Sequence, residues 1–266
     1  MGTLRTLSWT VISYAFAFIS EFSSTRYGIP YGWYSYVEST RGLELWVGNV
    51  PFMDSVSYSF LTYTGYSMAV CLLAPLWRRG VDIRPAETRR LRRSWKTLLL
   101  GAFITTLLDV VIDPVALRGN RWFLGQIYEY HSYGIYFGIP FTNFVGWFLV
   151  SVVIISLNQV VDYWLPKVPA PRNVPGLALG GPLLYVCLLG FNLAVTVWLR
   201  EWMLLGAGLL WHVWIGWWVL ARWRAAGLLP DAVLREHLRD FPSSPLKLLQ
   251  QGRDKLGDPP AGQPGG

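Results

Sequence analysis

Two carboxylates stand four residues apart inside an apolar run. Asp109 and Asp113 occur in the stretch TTLLDVVIDPVAL, and a spacing of four places both side chains on one face of a helix. A charged carboxylate at the centre of a bilayer costs about 2.5–3.5 kcal/mol, so a pair of them needs a partner or a function. Two like charges this close in an apolar site cannot easily both ionise, and we expect one acid to stay protonated near neutral pH. The pattern indicates a proton donor beside a possible base.

Other polar and aromatic side chains are placed where they could face the same cavity. The acid at the end of the first apolar run, Glu21, joins the pair as a catalytic candidate. The further polar candidates are Asp54, Glu129, His131 and Asn143. The candidate wall residues are Trp33, Tyr34, Tyr136 and Trp147. Taken singly, each polar candidate could instead cap a helix or pair with Arg26, Arg118 or Arg121, so these assignments remain open.

The composition is that of a membrane protein. The chain is 53% hydrophobic and 15% charged, whereas soluble domains carry about 25% charged residues. The net charge of +7 does not indicate nucleic-acid binding, because the basic residues stand between apolar runs, where membrane topology explains them. Cys71 and Cys187 have no second Cys or His at ligand spacing, so no metal site is expected.

Six runs approach the length of about 20 residues that a bilayer span needs. They cover residues 6–20, 51–77, 95–117, 140–165, 174–199 and 203–221. The segment 78–96 holds eight basic residues against two acidic ones, which predicts a cytoplasmic location. We therefore predict an all-α, polytopic bundle of about six transmembrane helices, N-in and C-in. The membrane domain covers residues 1–224, and 225–266 form a basic cytoplasmic tail, with a short helix near 230–241 and a disordered end.

An aromatic motif occurs twice in the predicted outer connections. YGIPYGWY covers residues 27–34 and FGIPFTNF covers 137–144, and a related VPFMD covers 50–54. Pro51 and Pro140 each suit a helix start, and the short polar residues three positions later, Asp54 and Asn143, are expected to cap it. Pro114 is expected to kink or end its helix. The spacing from Glu21 to Pro51 and from Asp109 to Pro140 is 30 and 31 positions, which fits an internal repeat or chance alike. We expect the two connections to form an aromatic lid.

These segments together resemble a known family. FISEFSSTRYGIPYGWYSY, LWVGNVPFMDSVSY, LLDVVIDPVAL and YGIYFGIPFTNFVGWF are similar to the membrane carotenoid hydratases of the carotenoid-synthesis family. The likeness covers residues 20–147 and continues more loosely to 218. It implies a multi-pass protein of a prokaryotic cell membrane that adds water to the terminal C=C of an acyclic carotenoid without a cofactor. The implied partners are a membrane-dissolved carotenoid, the lipid bilayer and other enzymes of the carotenoid pathway.

The chemistry that this resemblance implies suits the acidic residues. Hydration of an isolated alkene begins with protonation to a tertiary carbocation, which water then captures. Asp113 or Asp109 is the expected acid, and its partner or Glu21 would position the water. The aromatic candidates would lie beside the cation.

Two other functions fit the sequence. A polytopic prenyltransferase or elongase could use spaced Asp residues to hold Mg²⁺ and a prenyl diphosphate. A transporter or carotenoid carrier could also place acids within the membrane.

Overall fold

The computed structural model describes residues 2–165, 174 and 176–249, and this part of the chain is mostly helical. The helices are α1 (Thr3–Tyr27), α2 (Phe52–Leu73), α3 (Arg89–Arg92), α4 (Trp95–Ala116), α5 (Phe141–Trp164), α6 (Gly180–Trp198), α7 (Trp202–Ala225) and α8 (Asp231–Asp240). Single 3-10 turns occupy Glu38–Thr40, Gly119–Arg121 and Leu177–Leu179. The short strands are β1 (Tyr34–Tyr36), β2 (Trp46–Val47), β3 (Val50–Pro51), β4 (Leu76–Arg79), β5 (Asp82–Pro85) and β6 (Tyr128–Tyr130). The helical bundle is thus confirmed, but the prediction of an all-α fold misses three two-stranded sheets.

Four helical segments of the described chain are long and apolar enough to cross a membrane. They are Trp95–Ala116, Phe141–Trp164, Leu177–Trp198 and Trp202–Ala225, with mean hydropathies of 1.9, 2.1, 1.8 and 1.5. The other two long helices, α1 and α2, are more polar, although α1 exposes an apolar face that includes Leu4, Leu7 and Val11. The protein is therefore a helical membrane protein, while six spans with an N-in, C-in topology stay a prediction.

The helix ends differ in part from the expected ones. The first helix does not stop near Glu21 but runs on to Tyr27, where Gly28 ends it with a φ of 72°. The fourth helix contains Pro114 and ends two residues later, at Ala116. The fifth begins directly after Pro140, as predicted. The predicted helix near the C-terminus is present as α8, and the predicted disordered end lies outside the described residues.

The fourth helix occupies the centre of the bundle. Its apolar stretch is 72% buried, compared with 22% for α7. It packs closely on α2 because Gly65 lacks a side chain: a Cβ there would lie 2.1 Å from Thr105 Oγ1 and 2.7 Å from the Gly101 carbonyl oxygen. Small residues at such a crossing let two helix backbones approach, which favours packing within a membrane. This contact fixes the position of α4 along its axis relative to α2, and with it the position of Asp109 one turn beyond Thr105.

An ionic cluster joins the helices at the opposite end from Asp109. Asp162 near the end of α5 accepts hydrogen bonds from Arg5 Nε of α1 at 2.6 Å and from Arg93 Nε at 3.0 Å. The Arg5 and Asp162 side chains are only 7% and 10% exposed. Because removing one partner would leave a buried charge unpaired, the cluster fixes α1 and α5 relative to the start of α4.

The two long aromatic connections pair with each other. Strand β1 from the first lies antiparallel to β6 from the second, with Tyr34 opposite Tyr130 and Tyr36 opposite Tyr128. Because side chains alternate along a strand, these four tyrosines project from the same face of the pair. The result is a small two-stranded cover over one end of α1, α2, α4 and α5.

The close approach of α2 and α4 can be tested by adding one methyl group. We expect Gly65→Ala to lower the unfolding temperature in detergent by several degrees, because overpacking costs about 1–3 kcal/mol. Gly216→Ala in α7 is the matched control, since a Cβ there meets nothing within 4 Å, and it should leave the temperature unchanged or raise it slightly. Equal effects of the two substitutions would contradict the packing described.

Candidate functional site

The acid pair of α4 is held by one amide. Asn143 Nδ2 donates to Asp109 Oδ2 at 2.8 Å and to Asp113 Oδ2 at 2.6 Å. All three residues are buried, with Asn143 and Asp109 2% exposed and Asp113 8%. The sequence predicted Asn143 as a helix cap, which is wrong: α5 has no side-chain cap, and the amide turns inward to the acids. Both amide hydrogens are thereby used to satisfy buried carboxyl oxygens.

One carboxyl oxygen of the pair lacks a hydrogen-bond donor among the described residues. Asp109 Oδ1 is buried and receives no hydrogen bond from any donor in the described part of the chain. The neighbouring Asp113 carboxyl group is the one that could share a proton with it. An unprotonated carboxylate oxygen in this position would lack compensation for its desolvation. The arrangement therefore suits a pair that holds one proton between its two members.

A second pair of acids lies on the other wall. The Ser55 hydroxyl donates to Glu21 Oε2, and the Tyr36 hydroxyl donates to Asp54 Oδ2. Glu21 is 2% exposed, and its charge and that of Asp54 act on each other. Asp54 was expected to cap α2, but it makes no cap bond and instead binds the tyrosine of β1. Each of these carboxyl groups is thus matched by a neutral hydroxyl rather than by a cation.

Three of the four acids border a small cavity of about 50 Å³. Its polar lining comes from Glu21, Asp54, Asp113 and Asn143, and its aromatic lining from Tyr31, Tyr34, Tyr36, Tyr58, Tyr128, Tyr130 and Trp147. Since a buried water needs roughly 10–15 Å³ of such volume, the cavity has room for a few waters with polar partners on several sides. Across the described residues, no group of three or more His, Cys, Asp or Glu side chains is arranged to hold a metal ion.

The tyrosines of the cover carry neutral phenols. Burial of the Tyr36 and Tyr128 hydroxyls raises the pKa of both phenols well above the usual range, and the nearby Asp54 and Asp113 charges raise it further. Both hydroxyls therefore stay protonated at neutral pH. The Tyr34 hydroxyl lies 3.5 Å from that of Tyr36 and extends the row of phenols along the cover.

The floor of the cavity is aromatic. Tyr58 of α2 and Trp147 of α5 are stacked, with ring centroids 4.1 Å apart and planes 3° from parallel. Tyr31 lies 6.3 Å from the Trp147 ring, and its hydroxyl is 2.8 Å from Ser20 Oγ. Such contacts favour fixed ring orientations, so the faces that border the cavity are held in place.

The two GIP stretches contact one another beneath the cover. Thr142 Oγ1 donates to the Tyr31 carbonyl oxygen at 3.2 Å. A Cβ on Gly32, whose φ is +99°, would lie 2.9 Å from Thr142 Oγ1 and 3.4 Å from Pro140. Gly146 likewise leaves room for Tyr31, since a Cβ there would lie 2.5 Å from that ring. These stretches therefore position Tyr31 and the strands, and the cover itself is the β1–β6 pair.

Seven of the sequence-predicted residues meet at this site. They are Glu21, Tyr34, Asp54, Asp109, Asp113, Asn143 and Trp147. Of these, Asp109 stands behind Asp113 and reaches the site through Asn143.

The other four predicted residues do not line the cavity, and the expectation that they would is corrected here. Glu129 alternates with Tyr128 and Tyr130 on β6, so its side chain faces outward and is exposed. His131 Nε2 lies 2.7 Å from Ser35 Oγ, and its ring stacks on Trp33, which is 51% exposed. Tyr136 packs on Phe137 and Phe144 instead.

Sequence reasoning missed several lining residues. They are Tyr31, Tyr36, Tyr58, Tyr128 and Tyr130. It also missed Ser55, which donates to Glu21. The alternations YSY at 34–36 and YEY at 128–130 are a period-two signal that could have predicted two short strands with tyrosines on one face.

The fold and site define a helical membrane protein with a buried, acid-lined cavity under an aromatic cover. A family model described as carotenoid biosynthesis protein matches residues 1–215. The chain belongs to this family, and the match includes every cavity residue named above.

A curated relative carries a more specific name. The chain is 29% identical over 216 residues, 78% of its length, to bisanhydrobacterioruberin hydratase of Haloarcula japonica. The aligned segment spans 62% of that relative's length. No solved structure matches the chain.

The role of the bridging amide can be tested on stability. We expect Asn143→Leu to destabilise the protein by about 1.5–3 kcal/mol, because it removes hydrogen bonds to buried carboxyl groups. The loss should shrink as the pH falls, since protonated acids can bond each other and need the amide less. Unfolding temperatures in detergent across a pH series measure both effects.

Asn158→Leu is the control for this substitution. Asn158 lies on the same helix and is also buried, but among the described residues its amide donates only to the Ile154 carbonyl oxygen of its own helix. A pH-independent effect of Asn143→Leu equal to that of Asn158→Leu would argue against the bridge.

Proposed function

We propose that the protein adds water to the terminal C=C, at the 1,2 position, of an acyclic carotenoid end group and gives a tertiary alcohol. The observation that carries the proposal is the pair Asp109 and Asp113, bridged by Asn143 at the wall of a cavity with room for water. Membership of the carotenoid biosynthesis family and the hydratase name of the relative support it.

The reaction balances without an added oxidant or reductant. A carboxylic acid gives its proton to the less substituted alkene carbon, so an O–H bond breaks and a C–H bond forms. The electron pair of the double bond is used in that step, which leaves a tertiary carbocation on the other carbon. A water oxygen then attacks this carbon and loses one proton to a carboxylate.

The geometry favours different roles for the two acid pairs, one as proton donor and the other as proton acceptor. Asp113 lines the cavity, while Asp109 lies behind it, so Asp113 is the acid that can reach the alkene and Asp109 shares the proton with it. Glu21 and Asp54 line the cavity as well and are the proposed acceptors of the proton from water. Acid and base thus come from different helices, with the water between them.

The aromatic floor suits the charge that develops. A carbocation beside the faces of Tyr58 and Trp147 is stabilised by the ring quadrupoles, an effect of about 2 kcal/mol or more when desolvated. Neutral phenols above the cavity add dipoles without supplying a competing cation. The lining residues that the structure describes include no Lys or Arg that could hold a diphosphate, so the prenyltransferase alternative has less support.

The size of the cavity places a requirement on the substrate. About 50 Å³ holds water but not the end of a polyene. The end group must therefore enter as the β1–β6 cover and its tyrosines move aside. The substrate would arrive dissolved in the bilayer of the cell membrane, where other carotenoid-pathway enzymes are the expected partners.

The acid assignment is tested in a lycopene-producing host. We expect Asp109→Asn and Asp113→Asn each to reduce the hydrated product at least 100-fold, because general acid–base catalysis contributes about 10²–10⁴-fold. Asp231→Asn is the control, since Asp231 is exposed at the start of α8. Mass spectra of the extracted carotenoids measure the product as a gain of one water per hydrated end.

Other outcomes distinguish the hydratase from the carrier and the prenyltransferase. Full accumulation of hydrated product in both Asn variants would contradict the assignment of the acids. Pigment bound by the wild-type protein without any gain of water would favour a carrier. Activity of the purified protein that requires both Mg²⁺ and a prenyl diphosphate would favour the prenyltransferase.

A further inference from the structure

A second and larger cavity, of about 550 Å³, lies at the other end of α2. The acid cavity takes Asp54 and Tyr58 from this helix, whereas the second cavity takes residues from Tyr63 to Cys71. At a rise of 1.5 Å per residue, Asp54 and Cys71 are roughly 25 Å apart along the axis. A volume of this size is typical of small-molecule sites, and the proposed hydration makes no use of it.

A buried arginine with an unused donor lines the second cavity. Arg92 is 6% exposed, and its Nε makes no hydrogen bond within the described part of the chain. Its terminal nitrogens reach Glu87 and Asp162 only at 3.7 Å each, which is beyond hydrogen-bond distance. Asp162 is already engaged by Arg5 and Arg93. Burial of the Nε–H donor without an acceptor is costly, so within the described chain Arg92 is short of one acceptor.

The surroundings of Arg92 also favour an anion. Arg84 lines the same cavity, and its guanidinium is oriented by Asp82 through contacts of 2.8–3.0 Å. Leu177 and Gly180 place the start of α6 at the wall, which directs the positive end of that helix dipole to the cavity. Glu87 is the single carboxylate among the described lining residues.

The remaining lining is largely apolar. Val70, Phe241 and Leu246 contribute to it, and the cavity lies where α2 ends and α6 begins. A ligand that matches both parts carries a compact anionic group and an apolar portion. Phosphate matches arginine well, because its oxygens can accept two parallel hydrogen bonds from the guanidinium fork.

We propose that this cavity binds a phosphate group, with Arg92 as its principal ligand. The apolar lining favours a phosphate carried by a membrane amphiphile over free phosphate. The site is separate from the acid cavity and does not depend on the proposed hydration.

Binding of radiolabelled dioctanoyl phosphatidic acid to the purified full-length protein in detergent tests the proposal. We expect saturable binding that unlabelled dioctanoyl phosphatidic acid displaces and that dioctanoylglycerol, which lacks the phosphate, does not. Inorganic phosphate that displaces the lipid at similar concentrations would support the phosphate site and assign it to free phosphate. Inorganic phosphate that fails to do so would support an amphiphile as the source. Non-saturable binding, or equal displacement by dioctanoylglycerol, would overturn the proposal.

Three substitutions test whether the ligand binds in this cavity. Arg92→Gln should weaken the affinity about tenfold or more, because it removes charge-assisted hydrogen bonds. Arg90→Gln makes the same change in charge at an exposed arginine two residues away and should leave the affinity unchanged. Ala178→Trp adds a large side chain to the cavity lining and keeps Arg92, and it should also weaken binding. This second variant tests the site even if Arg92→Gln fails to fold. Equal affinities of all three variants and the wild type would refute the site.

Discussion

Four acidic side chains meet at one end of an apolar helix bundle, and each of them has to be matched by a hydrogen-bond donor. The donors are neutral: Asn143 serves the pair on α4, while Ser55 and Tyr36 serve Glu21 and Asp54. A cation beside these acids would stabilise their ionised form, whereas amides and hydroxyls allow them to gain and lose protons. This choice of partners is what makes the site suited to proton transfer and not simply to joining helices.

The contrast with the other end of the bundle makes the same point. There the buried Asp162 is surrounded by arginines, and it joins α1 and α5 to the start of α4. A carboxylate held in this way is fixed in its ionised form and has a structural role. The chain thus uses buried acids in two ways, and the nature of the partner, amide or guanidinium, separates them.

Several parts of this structure follow from the sequence and others do not. The apolar runs predict the helices, and the prolines at 51 and 140 predict two helix starts, because these signals are local. The four-residue spacing of Asp109 and Asp113 predicts a shared face for the same reason. The direction of Asn143 could not be predicted, because capping and a contact with α4 compete for the same amide, and only the packing of α5 on α4 decides between them.

The cover, too, could be predicted from the sequence only in part. The sequence indicates two aromatic connections on one side, but the motif that repeats, GIP, lies beneath the cover and positions Tyr31. The residues that face the cavity come instead from YSY and YEY, and their pairing joins positions almost a hundred residues apart in the chain. Each alternation indicates a strand with its tyrosines on one face, but neither indicates which other strand it pairs with, so the two-stranded cover could not be assembled from the sequence.

Isotope labelling tests the central claim, that buried acids of this cavity start a hydration with a proton. Purified protein would be given lycopene in water enriched in ¹⁸O, and separately in D₂O, and the product analysed by mass spectrometry and NMR. The account predicts a tertiary alcohol whose oxygen comes from water, with one non-exchangeable deuterium on the neighbouring carbon. An alcohol whose oxygen comes from O₂, or one that carries no carbon-bound deuterium, would contradict it.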